Sequence, residues 1–173
     1  MFALQLEWVR KVADYLSMPG DEPGDTRIAV AQFTTRWRRE RNYVSLTTQI
    51  ENELDQIEHM GGGTDLNEAL SKTWRAMVRR KARVGVNAVI VLLTDGRSTK
   101  DWTDTVEHIK SGNVTIITAG YGGASFDDME AIATDRHHAF FGYQLQNLEN
   151  QLNELTQMIC QVNETWSDVG PRP

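Results

Sequence analysis

Apolar and polar positions switch between a helical period and an extended one along this chain, and the switches lay out its elements. Phe2, Leu6, Val9, Ala13 and Leu16 recur at spacings of three and four, the stripe of an amphipathic helix beginning almost at the first residue. Pro19, Gly20, Pro23 and Gly24 then predict a polar loop. Ile28 to Phe33, led by Arg27, reads as a strand, and the charge-dense stretch Trp37 to Tyr43 as an edge strand. Leu46, Ile50, Leu54 and Ile57 form a second helical stripe, stopped by Met60 and three glycines. The next helix starts at Thr64 or Asp65, where Asp65 followed three residues later by Glu68 resembles a capping box. Its inner face is Leu66, Leu70, Trp74, Met77 and Val78, and it ends in the cations Arg79 to Arg83, which suit a helix C-terminus.

The strongest extended signal is Val89-Ile90-Val91-Leu92-Leu93-Thr94-Asp95-Gly96. Five large apolar residues closed by Asp-Gly predict a strand buried on both faces of a parallel sheet. Trp102, Val106 and Ile109 mark a helix closed by Gly112, and Val114 to Ala119 a further strand ending in Gly120-Tyr121-Gly122-Gly123. Phe126, Met129 and Ile132 predict a short helix and Ala139 to Phe141 a short strand. Leu145, Leu148, Leu152, Leu155 and Ile159 predict one final helix, with a tail beyond it. Strands alternating with helices in this way give an α/β fold: a doubly wound, mostly parallel sheet, helices on both faces and right-handed crossovers. In such sheets function gathers beyond the carboxyl ends of the strands, where Asp95 falls.

Composition narrows the picture only modestly. The 173 residues fit one domain, and a net charge of −6 argues against a nucleic-acid partner. The basic run Arg79 to Arg83 lacks the aromatic interleaving of a nucleic-acid surface. No apolar run is long enough to cross a bilayer, and Met1 to Leu16 is too interrupted by polar residues to be a secretory signal. The single cysteine, Cys160, cannot form an internal disulfide and reads as a buried thiol near the end of the last helix.

Most candidate chemistry fails on spacing. Gly120 to Gly123 does not match a dinucleotide fingerprint, and no Walker-type lysine follows. His137 and His138, placed just before a strand, would point to opposite faces of an extended chain and could not share a metal. Ser17, Ser98 and Ser125 lack a nucleophile-elbow setting, and no acid/base pair is identifiable, so nothing supports catalysis. Two hard oxygen donors remain, Thr64 after Gly61-Gly62-Gly63 and Asp95 at the tip of the central strand. Each also has a purely structural reading, Thr64 as a helix cap and Asp95 as a turn residue.

Four stretches, Arg27 to Phe33, Gly61 to Asp65, Val91 to Ser98 and Ala119 to Gly122, resemble the von Willebrand factor type A (VWA) domain family in order and spacing. The resemblance extends over about residues 1 to 160, and the pairing of Gly-Gly-Thr with Leu-Thr-Asp-Gly carries most of its specificity. It implies a metal-ion-dependent adhesion site built from an Asp-x-Ser-x-Ser loop, a Thr and an Asp, the last two matched by Thr64 and Asp95. The family's metal is usually magnesium, completed by an acidic residue of the bound protein, and its members are mostly binding modules of adhesion and matrix proteins.

The departure from the family is large. No Asp-x-Ser-x-Ser occurs in this chain, and Met1 falls where the family has already begun its first helix. The expectation is a VWA domain over 1–162 lacking its central first strand, then a flexible tail over 163–173. Either the flanking strands close up or the sheet stays open there, each buried unpaired backbone group costing about 1–3 kcal/mol. The metal site is then incomplete, and Mg2+, which demands six oxygens in near-octahedral geometry, is held weakly or not at all. In many extracellular members a cysteine ending the last helix pairs with one before the first strand, which would leave Cys160 unpaired within this chain. Asn113-Val114-Thr115 and Asn163-Glu164-Thr165 are glycosylation sequons, and Asn163, expected in the exposed tail, is the better acceptor. The implied function is that of a protein-binding module of a secreted adhesion or matrix protein with an extracellular, matrix or collagen-like ligand. Alternatives are an intracellular VWA scaffold of a multiprotein complex and a metal-independent structural VWA domain.

Overall fold

The structure, a computed structural model, describes residues 2–16, 27–45, 53–79 and 88–164. Helix α1 spans Phe2–Leu16, strand β1 Arg27–Phe33 and strand β2 Trp37–Ser45. Helix α2 (Leu66–Thr73) runs into a π-helical turn over Trp74–Val78. Strand β3 (Ala88–Thr94), helix α3 (Thr103–Ser111), strand β4 (Val114–Tyr121) and helix α4 (Phe126–Ile132) follow. A 3-10 turn over Arg136–His138 leads into β5 (Ala139–Gly142), α5 (Leu145–Glu149) and α6 (Leu152–Glu164). The second helical stripe expected from Leu46 lies mostly outside the described residues, as do 80–87 and 165–173.

The strands form two sheets. β3, β4 and β5 pair in parallel in the order β3-β4-β5, with Ile90 opposite Ile116 and Ala119 opposite Phe140. β1 and β2 form an antiparallel hairpin with register shifts on either side of Val30. Among the described residues β1 and β3 are not paired, so the sheet is open between them, one of the two outcomes expected.

Helices cover both faces of the parallel sheet. Ile117, Ala119 and Tyr121 of β4 point into a cluster with Trp8, Val12 and Leu16 of α1 and the leucines of α5 and α6. Val114 and Ile116, at alternate positions of the same strand, meet Leu66 and Leu70 of α2, Val106 and Ile109 of α3, and Met129 and Ile132 of α4. The buried Thr118 hydroxyl donates to the Met129 carbonyl at 3.0 Å, tying β4 to α4. The largest buried α1 side chain is Trp8, which the stripe read from Phe2 misses, because α1 is also wedged between α6 and the β1 side of the molecule.

Five local expectations change. β3 alternates between half-buried and buried residues because it is an edge strand in its sheet, while seven of the eight residues of β4 are buried. The final helix is broken at Asn150 and Gln151, although its apolar spacing runs straight through. The helical turn restarts there, with Gln151 N–H donating to Leu148 O and Leu155 N–H to Gln151 O. His137 and His138 sit in a 3-10 turn rather than an extended segment, and His138 Nδ1 lies 2.9 Å from Asp135 Oδ1. Cys160 is exposed on α6, since the buried stripe Leu152, Leu155 and Ile159 turns it outward. The backbone of Asn163 belongs to the same helix rather than to a tail.

Leu148 is 1% exposed and Leu4 44% exposed. Leu148→Ala should therefore lower the unfolding free energy by about 2–5 kcal/mol in urea denaturation, and Leu4→Ala by no more than about 0.5 kcal/mol.

Candidate functional site at the carboxyl ends of the strands

Four segments meet beyond the strand ends. Thr34 follows β1, is buried, and accepts the Asp65 N–H on its carbonyl at 2.9 Å. The turn that brings Asp65 there uses left-handed backbone at Gly61 (φ 62°) and Gly62 (φ 118°). A Cβ on Gly62 would sit 3.2 Å from Thr34 Cβ, so the glycine also permits the close approach. Asp65 caps α2, its Oδ1 accepting the Glu68 N–H at 2.9 Å. Only that half of the expected box is present in the geometry.

Thr64 is tied to the segment after β3. Its carbonyl accepts from the Thr99 N–H at 2.9 Å and the Thr99 hydroxyl at 3.1 Å. Ser98 Oγ accepts the Leu66 N–H at 3.1 Å and donates to the Lys100 carbonyl. A Cβ on Gly96 would overlap Thr64 Oγ1, so the Thr64 hydroxyl lies directly against the Asp95-Gly96 backbone. The Asp95 carbonyl in turn accepts the Gly123 N–H at 3.0 Å from the turn after β4. The two expected donors, Thr64 and Asp95, are thus neighbours on one edge of the molecule, Asp95 exposed and Thr64 half-buried.

A polar relay that the sequence reading did not single out reaches the same carboxylate. Gln5 Nε2 on α1 donates to Tyr121 Oη at 2.8 Å, and that hydroxyl lies 3.4 Å from Asp95 Oδ2, to which it donates. Tyr121 is 2% exposed. Burial first, then the charge of Asp95, push its phenol up to about 12, against the opposing effect of the Gln5 hydrogen bond. The available signal was a hydroxyl-bearing aromatic at the end of an apolar strand, on the alternate position facing α1.

The other sequence candidates lie elsewhere. Asn113 is exposed in a left-handed turn (φ 60°) just before β4, at the opposite end of the sheet. Cys160 and Asn163 are on α6. Asp135, which holds His138, is drawn below its usual carboxylate range mainly by that hydrogen bond.

Thr64 and Asp95 do not by themselves fit a magnesium ion. They offer one neutral and one anionic side-chain oxygen, and the Asp95 carboxylate already faces the Tyr121 hydroxyl. Among the described residues no group of three or more His, Cys, Asp or Glu could hold a metal.

A parallel sheet between two helical layers, with its polar loops gathered at the carboxyl ends, defines the class of α/β domains that bind at that edge. The sequence profile of the von Willebrand factor type A domain matches residues 1–158, and the chain belongs to that family. It is 29% identical to cochlin of Homo sapiens over 164 residues, 92% of this chain and 29% of that protein. It is 30% identical to the collagen alpha-4(VI) chain of Mus musculus over 107 residues, 62% of this chain and 4% of that one. The chain thus spans less than a third of the length of these curated relatives. Proximal thread matrix protein 1 of the mussel byssus superimposes with a TM-score of 0.81 at 19% identity, over 92% of this chain and 41% of that one. A form of that protein with a zinc-occupied MIDAS motif gives 0.78 at 20% identity, over 92% and 40%.

Because the Tyr121 phenol is raised, the folded state keeps its proton while an unfolded tyrosine loses it. The corresponding stability is complete below about pH 10 and is lost as pH rises toward about 12. In a difference titration at 295 nm against Tyr121→Phe, Asp95→Asn should bring the Tyr121 transition down, because the neighbouring negative charge is gone; an unchanged transition would refute the coupling. Gly96→Ala should force the Thr64 side chain aside and destabilise the fold by about 1–3 kcal/mol in thermal denaturation.

Proposed function

We propose that this chain is a protein-binding VWA module of an extracellular adhesion or matrix protein, acting by recognition rather than catalysis. The family match over residues 1–158 carries this reading. The names of its relatives, a collagen chain and a thread matrix protein among them, favour a matrix setting and an extracellular protein ligand. The binding edge is the loop cluster around Thr34, Thr64, Asp95 and Gly123. Among the described residues no helix is long and apolar enough to cross a membrane.

Thr64 and Asp95 are the residues through which a divalent ion would act, and in this chain they hold it weakly, with affinity on the order of millimolar. A metal-independent mode of binding is favoured specifically by Tyr121, whose hydroxyl already faces the Asp95 carboxylate. Asn113, exposed in its turn, and Asn163 are the candidate glycan acceptors.

The experiment is solid-phase binding to immobilised fibrillar collagen and to a matrix extract, with and without a chelator. Saturable binding that survives the chelator is expected. Absence of saturable binding to both would remove the matrix-module reading. Calorimetric titration with Mg2+ or Mn2+ should show only millimolar-order binding. Micromolar binding abolished in the Thr64→Ala, Asp95→Ala double variant would overturn the weak-site reading.

A further inference from the structure

We propose that a band of cations along β2 and the helix beside it, Arg39 with Lys72, Arg75 and Arg79, binds a linear sulfated polysaccharide. The band lies on the flank of the molecule and not among the loops at the strand ends, so this goes beyond the loop-edge reading. It rests on that reading only for the extracellular source of the ligand. Between Ser71 and Arg79 the exposed residues are Lys72, Arg75 and Arg79, and every one is a cation. From Arg36 to Arg41 the exposed residues are Arg36, Arg38 and Arg39, again all cations. This concentration stands against a net charge of −6 for the whole chain.

Two hydrogen bonds lay β2 alongside α2. The Asp65 N–H donates to the Thr34 carbonyl at 2.9 Å, and the Trp37 indole N–H donates to Thr73 Oγ1 at 3.0 Å. Between these contacts the strand advances about 10 Å and the helix about 12 Å, so the two run side by side in one direction. Arg39 follows Trp37 by two residues with no register shift between them, so it shares the strand face turned toward the helix. Two strand residues cover about 6.6 Å and four helical residues about 6 Å, which sets Arg39 level with Met77, between Arg75 and Arg79. The helix presents the matching side. Asn67 meets Thr105 of α3 and Trp74 meets His108, so α3 covers one flank. Lys72, about 200° around the helix from Trp74, is on the other flank, beside β2.

The arginines of the band are available. Arg38 pairs with Glu40, Arg41 with Glu53, and Lys72 lies 3.9 Å from Glu68. Arg39, Arg75 and Arg79 form no ion pair among the described residues. Guanidinium forks bind oxyanions through paired hydrogen bonds, and a sulfate ester presents the terminal oxygens they need. The ligand class follows from what the band lacks. A protein partner would find no apolar anchor, whereas the centres of protein interfaces are depleted of charge and rich in aromatics. The exposed large apolar residues, Leu4, Phe126 and Tyr143, all lie elsewhere. A nucleic-acid strand would lack platforms for its bases, since Trp37 is half-buried with its indole N–H held by Thr73. A polymer that carries its charges outermost and needs no pocket suits a row of cations spread over about 10 Å from Lys72 to Arg79. In the sequence the run Arg79-Arg80-Lys81-Ala82-Arg83 carries the charge onward, past the described residues.

The probe is a fluorescent heparin octasaccharide, titrated with the whole chain at physiological ionic strength and followed by anisotropy. Saturable binding that weakens as NaCl is added is expected. Arg39→Gln, Arg75→Gln and Arg79→Gln together should weaken it at least about tenfold, with the thermal midpoint unchanged because none of the three is paired within the fold. A control triple variant, Lys11→Gln, Lys110→Gln and Arg136→Gln, removes the same charge elsewhere and should bind as the parent does. An equal loss in both triple variants, or no binding by the parent, would overturn the proposal. Poly-glutamate, duplex DNA or phosphatidylserine vesicles binding as tightly as the octasaccharide would overturn it in favour of an acidic protein, a nucleic acid or a membrane. Collagen binding measured on the same preparation separates the two readings. Octasaccharide binding that fails while collagen binding persists removes this inference alone.

Discussion

Burial of β4 on both faces is the constraint on which the rest of the molecule depends. Ile116, Ile117, Thr118 and Ala119 are completely buried, and alternate residues feed two different helical layers. A strand in that position has no solvent to satisfy its backbone, so both edges must be hydrogen-bonded, and β3 and β5 supply the partners in parallel register. Parallel pairing requires crossover connections, which is why helices must lie on both sides. Even the hydroxyl of Thr118 is accommodated only by donating to the backbone of α4.

The same logic does not hold at β3, and that difference organises the functional face. β3 has the most apolar sequence of the described strands, yet only one of its edges is paired among the described residues. Its carboxyl end carries Asp95 into the loop cluster, where glycines rather than side chains set the spacing. Gly96 lets the chain lie against Thr64, and Gly123 donates its N–H to the Asp95 carbonyl. The carboxylate is consequently fixed by its backbone while its own oxygens remain exposed, apart from the Tyr121 hydroxyl that approaches from the sheet. A cation at Asp95 would have to compete with that hydroxyl, with the neutral Thr64 Oγ1 as a second donor.

Much of this was legible in the sequence because it follows from local period. The strands at Ile28, Val89 and Val114 and the helices at Phe2, Asp65 and Trp102 all occur where the apolar spacing places them. The Asp65 cap was legible because capping needs only a carboxylate at one fixed offset from a backbone N–H. The break at Asn150 and Gln151 was not, since the stripe Leu145, Leu148, Leu152, Leu155 and Ile159 keeps helical phase across it. The outward turn of Cys160 and the Gln5–Tyr121–Asp95 relay were likewise hidden, because each joins or orients residues through packing between elements far apart in the chain.

The sequence by itself determined the α/β class, the alternation of strands and helices, and the delivery of Thr64 and Asp95 to loops at strand and helix ends. These are consequences of periodicity, glycine placement and capping, which act over a few residues. Only the tertiary structure decided that among the described residues β1 and β3 are not paired and β3 is an edge, and that a buried tyrosine stands beside Asp95. Those outcomes depend on which backbone edges find partners and which side chains share a cluster. Contacts over such separations leave no periodic mark on the chain.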